Sequence, residues 1–329
     1  MVHQIWDADL EMKLALEKVK AIILTEQLHL HPAIDKKIHE YVQAPGKYLR
    51  AGLCLHFARL VDGAISPAKL YFAAHIETLH LATLMHDDVI DGAEKRRGIL
   101  TAHQTFSNRI AIYTGDYLLA FSGRLLVKGL EELGLQEKDK EKVNDRLLEY
   151  LLRGELAQLM NQYNTDMTLK AYLKQIQGKT ALLFGLACQL GAYQKDQSAG
   201  KYRAAFRFGR SLGMGFQIRD DRIDYQKDGR NSGKPGLQDI ANGIYTAPLL
   251  FALQEDSSLR TDLLLLAQEP ENTDLIQLIY QKVLASSGLE KAAQLMKAYE
   301  KKAKKELEYF SPSPNRTHLE GILEMIFKG

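Results

Sequence analysis

A chain of 329 residues, 46% of them hydrophobic, can bury a large core and has the composition of a globular protein rather than a disordered or fibrous one. Its 43 lysines and arginines nearly balance 41 aspartates and glutamates, which excludes the basic excess of a general nucleic-acid binder. Cys54 and Cys188 share no metal-ligand spacing, and the N-terminus lacks the basic, apolar, cleavage-site order of a signal peptide, so reduced thiols and a cytoplasmic location are expected. Leu10, Leu14, Leu16 and Val19, with charges between them, predict an amphipathic first helix. Ala44-Pro45-Gly46 is a turn, and Gly46-Lys47-Tyr48-Leu49-Arg50 places Lys47 and Arg50 near the start of the next helix. After a further turn at Asp62-Gly63, the long apolar segment Leu70 to Leu84 runs into Asp87-Asp88-Val89-Ile90-Asp91. Arg96-Arg97-Gly98 lies in the turn that follows. The longest apolar run, Thr180 to Tyr193, falls short of the roughly 18 residues of a spanning helix, so no transmembrane segment is expected. Asp220-Asp221-Arg222-Ile223-Asp224 repeats the aspartate pattern, and Asp228 to Gly236 reads as a loop. Strand-like alternation is scarce. The turns separate helices rather than domains, which predicts one all-α domain over residues 1–329, with facing helices around a central cavity.

The paired aspartate motifs carry most of the information. With 20 aspartates in the chain, random placement gives about 0.07 DDxxD triplets. On a helix, positions i and i+4 share a face, so Asp87 and Asp91 point together while Asp88 sits roughly 100° around the axis, and Asp220 and Asp224 repeat this beside Asp221. All six carboxylates are expected to be ionised at neutral pH, and Mg²⁺ relieves their repulsion while accepting phosphate and water oxygens. A solvated helix face is the competing reading for a single motif. Apolar residues before both motifs (Leu79, Leu81, Leu84 and Met85; Met214, Phe216 and Ile218) favour helices that line a core.

Basic residues occur where a diphosphate would need them. Lys47 and Arg50 near a helix start, and Arg96 and Arg97 after the first motif, suit anion capture by fork, point charge and helix amides, although any isolated basic pair is more often a surface salt bridge. Gly178-Lys179-Thr180, Gln217 and Lys234 are further candidates. A nucleotide-binding P-loop is rejected, since its longer glycine spacing between strand and helix is missing. His80 lies two turns before Asp87 on the same face; alone, such a histidine is more often a satisfied core residue.

Taken in order, Gly46-Lys47-x-x-Arg50, His80 to Asp91, Arg96-Arg97-Gly98, Gly115-Asp116, Gly154-Glu155, Lys179-Thr180, Gln217 to Asp224 and Gly233-Lys234-Pro235 resemble the trans-isoprenyl diphosphate synthases, and within them the medium- and long-chain polyprenyl diphosphate synthases. The segment from Asn108 to Tyr117 is most similar to the catalytic subunit of bacterial heptaprenyl diphosphate synthases. The resemblance implies an all-α helical bundle of the isoprenoid synthase type. It also implies a prenyltransferase that condenses isopentenyl diphosphate head to tail onto a farnesyl- or geranylgeranyl-type allylic diphosphate, for a quinone side chain such as that of menaquinone. By that resemblance Asp87, Asp91, Asp220 and Asp224 hold three Mg²⁺ ions per active site, with Asp88, Asp221 and Lys179 also in the catalytic set. Arg96, Lys179, Thr180, Gln217 and Lys234 would meet the allylic diphosphate, and Lys47, Arg50, His80 and Arg97 the isopentenyl diphosphate.

A dimer is implied, with a small non-identical regulatory subunit as a candidate partner, no nucleic acid, and at most transient membrane contact for product release. Small Ala82 and Thr83, about 6–8 Å behind Asp87 along the helix, leave room for a product longer than farnesyl, unless they merely permit close helix packing. Three positions depart from the family: Gly92 where relatives often carry aspartate, Leu237-Gln238 in place of small residues, and Arg222 in place of an apolar residue. Homodimeric long- or short-chain synthases, a class I terpene cyclase and a non-catalytic partner subunit share parts of the pattern. Lys47, Arg50, Arg97 and the second DDxxD argue against the cyclase, and the six aspartates argue against a dead subunit.

Overall fold

In a computed structural model the structure describes residues 4–7, 9–135, 146–195, 199–226 and 236–328. Lys234 and all but the last residue of the Asp228 to Gly236 loop lie outside them. Two compact units are distinguished: residues 1–144, 186–206 and 312–316 form one, and residues 145–185, 207–311 and 317–329 the other.

The first unit is built on α1 (Leu10–Glu26), α2 (Pro32–Gln43), α3 (Leu49–Asp62), α4 (Pro67–Ile90), the short α5 (Ala102–Thr105) and α6 (Asn108–Glu132). Start and stop signals explain the boundaries. Asp9 caps α1 by accepting from Met12 N–H, Ser107 caps α6 by accepting from Ile110 N–H, and Pro67 opens α4 with its ring pre-set at the first helical position. Gly63, at φ 76°, closes α3 in the left-handed conformation that a Cβ would strain. α4 is buried along most of its length and packs along α6, where Gly129 admits the Phe72 ring. Between α4 and α5, β1 (Lys95–Arg96) and β2 (Ile99–Leu100) form an antiparallel two-stranded hairpin, the only strands among the described residues.

α6 is long and apolar enough to cross a membrane by length and composition, which the search for an unbroken apolar run missed. One side of it, including Ala111, Leu118, Phe121 and Leu125, is buried within the protein. Cys54 and Cys188 are both free and buried, and burial pushes the Cys54 thiol up to about 12, so it is inert at neutral pH.

The second unit comprises α7 (Leu147–Met160), α8 (Leu169–Ile176), a π-helical turn (Gln177–Ala181) and parts of α9 (Leu182–Gly191) and α10 (Ala199–Gln226). It continues through α11 (Gly236–Ala241), α12 (Ala247–Glu255), α13 (Ser258–Gln268), α14 (Thr273–Ala285), α15 (Gly288–Leu307) and most of α16 (Pro314–Phe327). Gly154 on α7 and Gly178 in the π turn touch backbone to backbone; a Cβ on Gly154 would lie 2.5 Å from Lys179 N. Midway along α10, the Phe327 ring fills the space left open by Gly215.

Candidate active site

In the first unit, the last turn of α4 carries the first motif. Asp88 is buried, Asp87 half-buried and Asp91 exposed, the separation that the helical angles predict. Asp91 closes the helix, donating its N–H to Asp87 O at 2.8 Å. Asp88 is fully engaged: its Oδ1 accepts from Arg96 Nε at 2.5 Å and its Oδ2 from the Tyr41 hydroxyl at 3.0 Å. Arg96, expected on the allylic diphosphate, therefore has an internal partner in this structure.

The neighbouring Arg97 sits at the tip of the hairpin with φ 51°, followed by Gly98 at 84°. Two consecutive positive φ values are what a tight two-residue hairpin turn needs. The turn carries the Arg97 guanidinium over Gly46, where a Cβ would lie 2.4 Å from Nη1. That glycine opens the Lys47 loop because an arginine crosses it.

The same loop is held from beneath. Trp6 Nε1 donates to Lys47 O at 2.7 Å, while its ring covers Gly52, and Tyr48 starts α3 from a left-handed backbone at φ 49° with its hydroxyl on Val42 O. Lys47 is exposed and Arg50 is part-buried. Arg50 Nη1 lies 3.1 Å from His80 Nε2. A guanidinium can only donate, so Nε2 is the acceptor and the ring is neutral. Burial first, then Arg50, Arg97 and Arg96, hold His80 well below the usual histidine range. Glu77, one turn before His80, accepts the Ala51 N–H at 3.0 Å, and burial raises its pKa. A small cavity bounded by Tyr41, Tyr48, Glu77, His80, Leu84 and Arg97 opens here. Arg50, His80 and Arg97 thus lie near one another, Lys47 is exposed on the adjoining loop, and Glu77 and Trp6 are neighbours that no motif signals.

Two family landmarks acquire reasons in this unit. Gly115 leaves room for the His86 ring against α6, and Asp116 Oδ1 lies 3.1 Å from His86 Nε2. Ala82 is fully buried, and half-buried Thr83 commits its hydroxyl to His80 O at 2.8 Å.

In the second unit, Asp220 and Asp224 on α10 are half-buried and Asp221 is buried. Asp221 Oδ2 accepts from the Tyr172 hydroxyl at 2.5 Å and Oδ1 from Gln217 Nε2 at 2.8 Å. Gln217 Oε1 in turn accepts from Thr180 Oγ1 at 2.8 Å. Thr180 and Gln217, both predicted site residues, are therefore joined to the second motif by a continuous chain of hydrogen bonds. The expectation that all six carboxylates are ionised at neutral pH fails at Asp221. Burial pushes it up to about 7, against the lowering effect of Tyr172 and Gln217 and with the charges of Asp220 and Asp224 adding to the rise.

Lys179 pairs with Glu155 Oε2 at 3.0 Å. The Gly154-Glu155 landmark thus serves Lys179 twice: the glycine lets α7 approach the π turn, and the glutamate orients the ammonium. Arg222, the departure from the family, turns to α15, where Nε donates to Leu289 O at 3.3 Å and Nη1 lies 3.8 Å from Met296 Sδ. It ties two helices together from the side of α10 away from Asp220.

The sequence matches the family model described as polyprenyl synthetase over residues 31–283. It is 31% identical to heptaprenyl diphosphate synthase component 2 of Bacillus subtilis (strain 168), across 98% of this chain and 92% of that protein. Among solved structures, a geranylgeranyl pyrophosphate synthase from Lactobacillus brevis superposes with a TM-score of 0.88 at 29% identity, covering 99% of both chains. A polyprenyl synthase from Caulobacter crescentus CB15, complexed with calcium and isoprenyl diphosphate, gives 0.85 at 29% identity over 96% of this chain and 95% of that one. The chain belongs to the polyprenyl synthetase family and is a prenyltransferase with the all-α isoprenoid synthase fold.

Proposed function

We propose that the protein is a Mg²⁺-dependent trans-polyprenyl diphosphate synthase that joins isopentenyl diphosphate, 1′ to 4, to an allylic diphosphate of farnesyl or geranylgeranyl type. The observation that carries this reading is the division of labour inside each motif. Asp87 with Asp91, and Asp220 with Asp224, are half-buried or exposed, while Asp88 and Asp221 are buried and hydrogen-bonded. Carboxylates at i and i+4 suit a hard divalent cation, so Asp87, Asp91, Asp220 and Asp224 are the residues that would hold Mg²⁺, three ions in this reading. When bound, Mg²⁺ neutralises charge developing on the departing diphosphate.

The chain's own groups supply the rest. Lys179, Thr180, Gln217, Arg96 and Lys234 orient the allylic diphosphate as its C–O bond breaks and the electron pair leaves with the phosphate oxygen. Lys47, Arg50 and Arg97 hold isopentenyl diphosphate, and neutral His80 keeps Arg50 in place without adding a competing charge. The homoallylic double bond then attacks the allylic carbon, and the released pyrophosphate takes the proton. Cationic side chains aimed at the leaving group stabilise the transition state more than the ground state.

Several finer assignments belong to the same reading. Ala82 and Thr83 support a medium or long product of the hexaprenyl or heptaprenyl class, serving as a quinone side chain. A dimeric assembly, with a small regulatory subunit as partner, is supported by the component 2 relative. Exposed apolar residues support it too: Ile112, Tyr113 and Val127 on α6, and Leu148, Leu152, Leu156 and Met160 on α7. The proposed setting is cytoplasmic, with the membrane met only when a greasy product leaves.

The test is an elongation assay. Purified protein, Mg²⁺, farnesyl diphosphate and labelled isopentenyl diphosphate should give labelled prenyl diphosphates longer than the primer, and a chelator should stop the reaction. Cyclised hydrocarbons, or no incorporation with or without a co-purifying subunit, would contradict the proposal.

A further inference from the structure

The two motifs share a feature that their sequence pattern does not contain. Each middle aspartate, 1% exposed at Asp88 and 4% at Asp221, accepts a hydrogen bond on Oδ2 from a buried tyrosine hydroxyl. Tyr41 on α2 precedes Asp88 by 47 residues and Tyr172 on α8 precedes Asp221 by 49. In both cases the other carboxylate oxygen is taken by a second side chain, Arg96 Nε or Gln217 Nε2. Neither tyrosine is loosely placed. Tyr41 is 4% exposed and its oxygen also accepts the Ala102 N–H at 3.0 Å; Tyr172 is 1% exposed.

Asp88 is held by two groups from outside α4, and Asp221 by Tyr172 from α8 together with Gln217 one turn back on α10; a carboxylate held from another element fixes the rotation of its helix about the axis. That rotation decides where the outer pair points. A carboxylate about 5–6 Å from the axis moves by about 1 Å when the helix turns by roughly 10°. Mg²⁺ requires near-ideal octahedral geometry at about 2.0–2.1 Å, so an error of that size disables coordination. We propose that Tyr41 and Tyr172 are positioning residues of the metal centre. Each locks the middle aspartate of its motif as a strut, and thereby aims Asp87 with Asp91, or Asp220 with Asp224, at the ions. The inference rests on the reading of both motifs as diphosphate-bound metal sites, and adds residues that act through the middle aspartates.

The full-length protein with Tyr41→Phe or Tyr172→Phe tests this, because each change removes one oxygen and keeps the packed ring. Two quantities are read for each variant: the Mg²⁺ concentration giving half-maximal binding of inorganic pyrophosphate by calorimetry, and the corresponding midpoint for elongation. Loss of a group that orients metal ligands should raise both midpoints about tenfold or more. For Tyr172→Phe, KM for isopentenyl diphosphate at saturating Mg²⁺ should stay within about twofold, and in both variants excess Mg²⁺ should restore most of the turnover, which a merely structural defect would not permit. An unchanged Mg²⁺ midpoint, at normal or reduced turnover, overturns the assignment for that tyrosine. Wild-type protein that binds Mg²⁺ with pyrophosphate but elongates nothing would refute the synthase reading, while shifted binding midpoints in the variants would still uphold the tyrosine inference.

Discussion

Asp87 and Asp88 are chemically identical neighbours that occupy different environments because a helix turns 100° between them. The i, i+4 rule was enough to assign the outer and inner positions from sequence. What it could not supply were the partners of the inner ones, since Tyr41 and Tyr172 arrive from helices 47 and 49 residues away. The shift at Asp221 was hidden for the same reason: burial depends on what packs around the motif. His80 shows the reverse case, a histidine whose candidacy was legible while its neutral state follows from burial first and then from three arginines brought around it by folding.

A second histidine on α4 yields a prediction at this scale. His75 is buried, its Nδ1–H donates to Ser122 O at 2.8 Å, and Nε2 has no partner. Burial lowers its pKa to about 4. A folded-state value below the unfolded value near 6.5 means that the stability contributed by the neutral ring is complete above pH 6.5 and is lost as pH falls toward 4. In urea titrations at pH 7.5 and pH 5, His75→Asn, which keeps a donor for Ser122 O, should lose about 2 kcal/mol less than the wild type across that interval. Equal losses would contradict the buried neutral imidazole.

Helices were the most legible elements, because apolar periodicity and the caps at Asp9, Ser107, Pro67 and Gly63 are local signals. The hairpin at Arg96-Arg97-Gly98 was readable as a turn but not as a paired one, since its two short strands carry no alternation. The π turn at Gln177–Ala181 left no mark in the sequence. It becomes understandable only beside Gly154, where α7 comes close enough to touch the backbone of Gly178. Such a turn at Lys179-Thr180 agrees with the tendency of π bulges to occur at functional sites.

The close approach predicts that Gly154→Ala is destabilising by about 1–3 kcal/mol, because the added carbon meets backbone that cannot rotate away. Moving the π turn should also raise KM for the allylic substrate. Gly321→Ala on α16 is the contrasting change: nothing lies within 4 Å of its Cβ position, and the variant should gain up to about 1 kcal/mol from helix propensity. Thermal unfolding of the two variants checks this; equal melting temperatures would contradict the packing account.

For the whole molecule, composition and periodicity identified an all-α fold, and the ordered landmarks from Gly46 to Lys234 identified the family because they are specific in combination although weak singly. Arg222 illustrates what such landmarks leave out. It stands where the family carries an apolar residue, and its guanidinium is directed at Leu289 O on α15, a relationship between helices far apart in sequence.

Both motifs, 133 residues apart in the sequence, are proposed to hold Mg²⁺ for diphosphate binding. The most direct test is Mg²⁺-dependent binding of inorganic pyrophosphate, measured by calorimetry for the wild type, Asp87→Ala, Asp220→Ala and the double variant. Each motif is predicted to matter for that binding: either single change should remove most of it. Single variants that each retain half the binding stoichiometry, or either one binding normally, would contradict it.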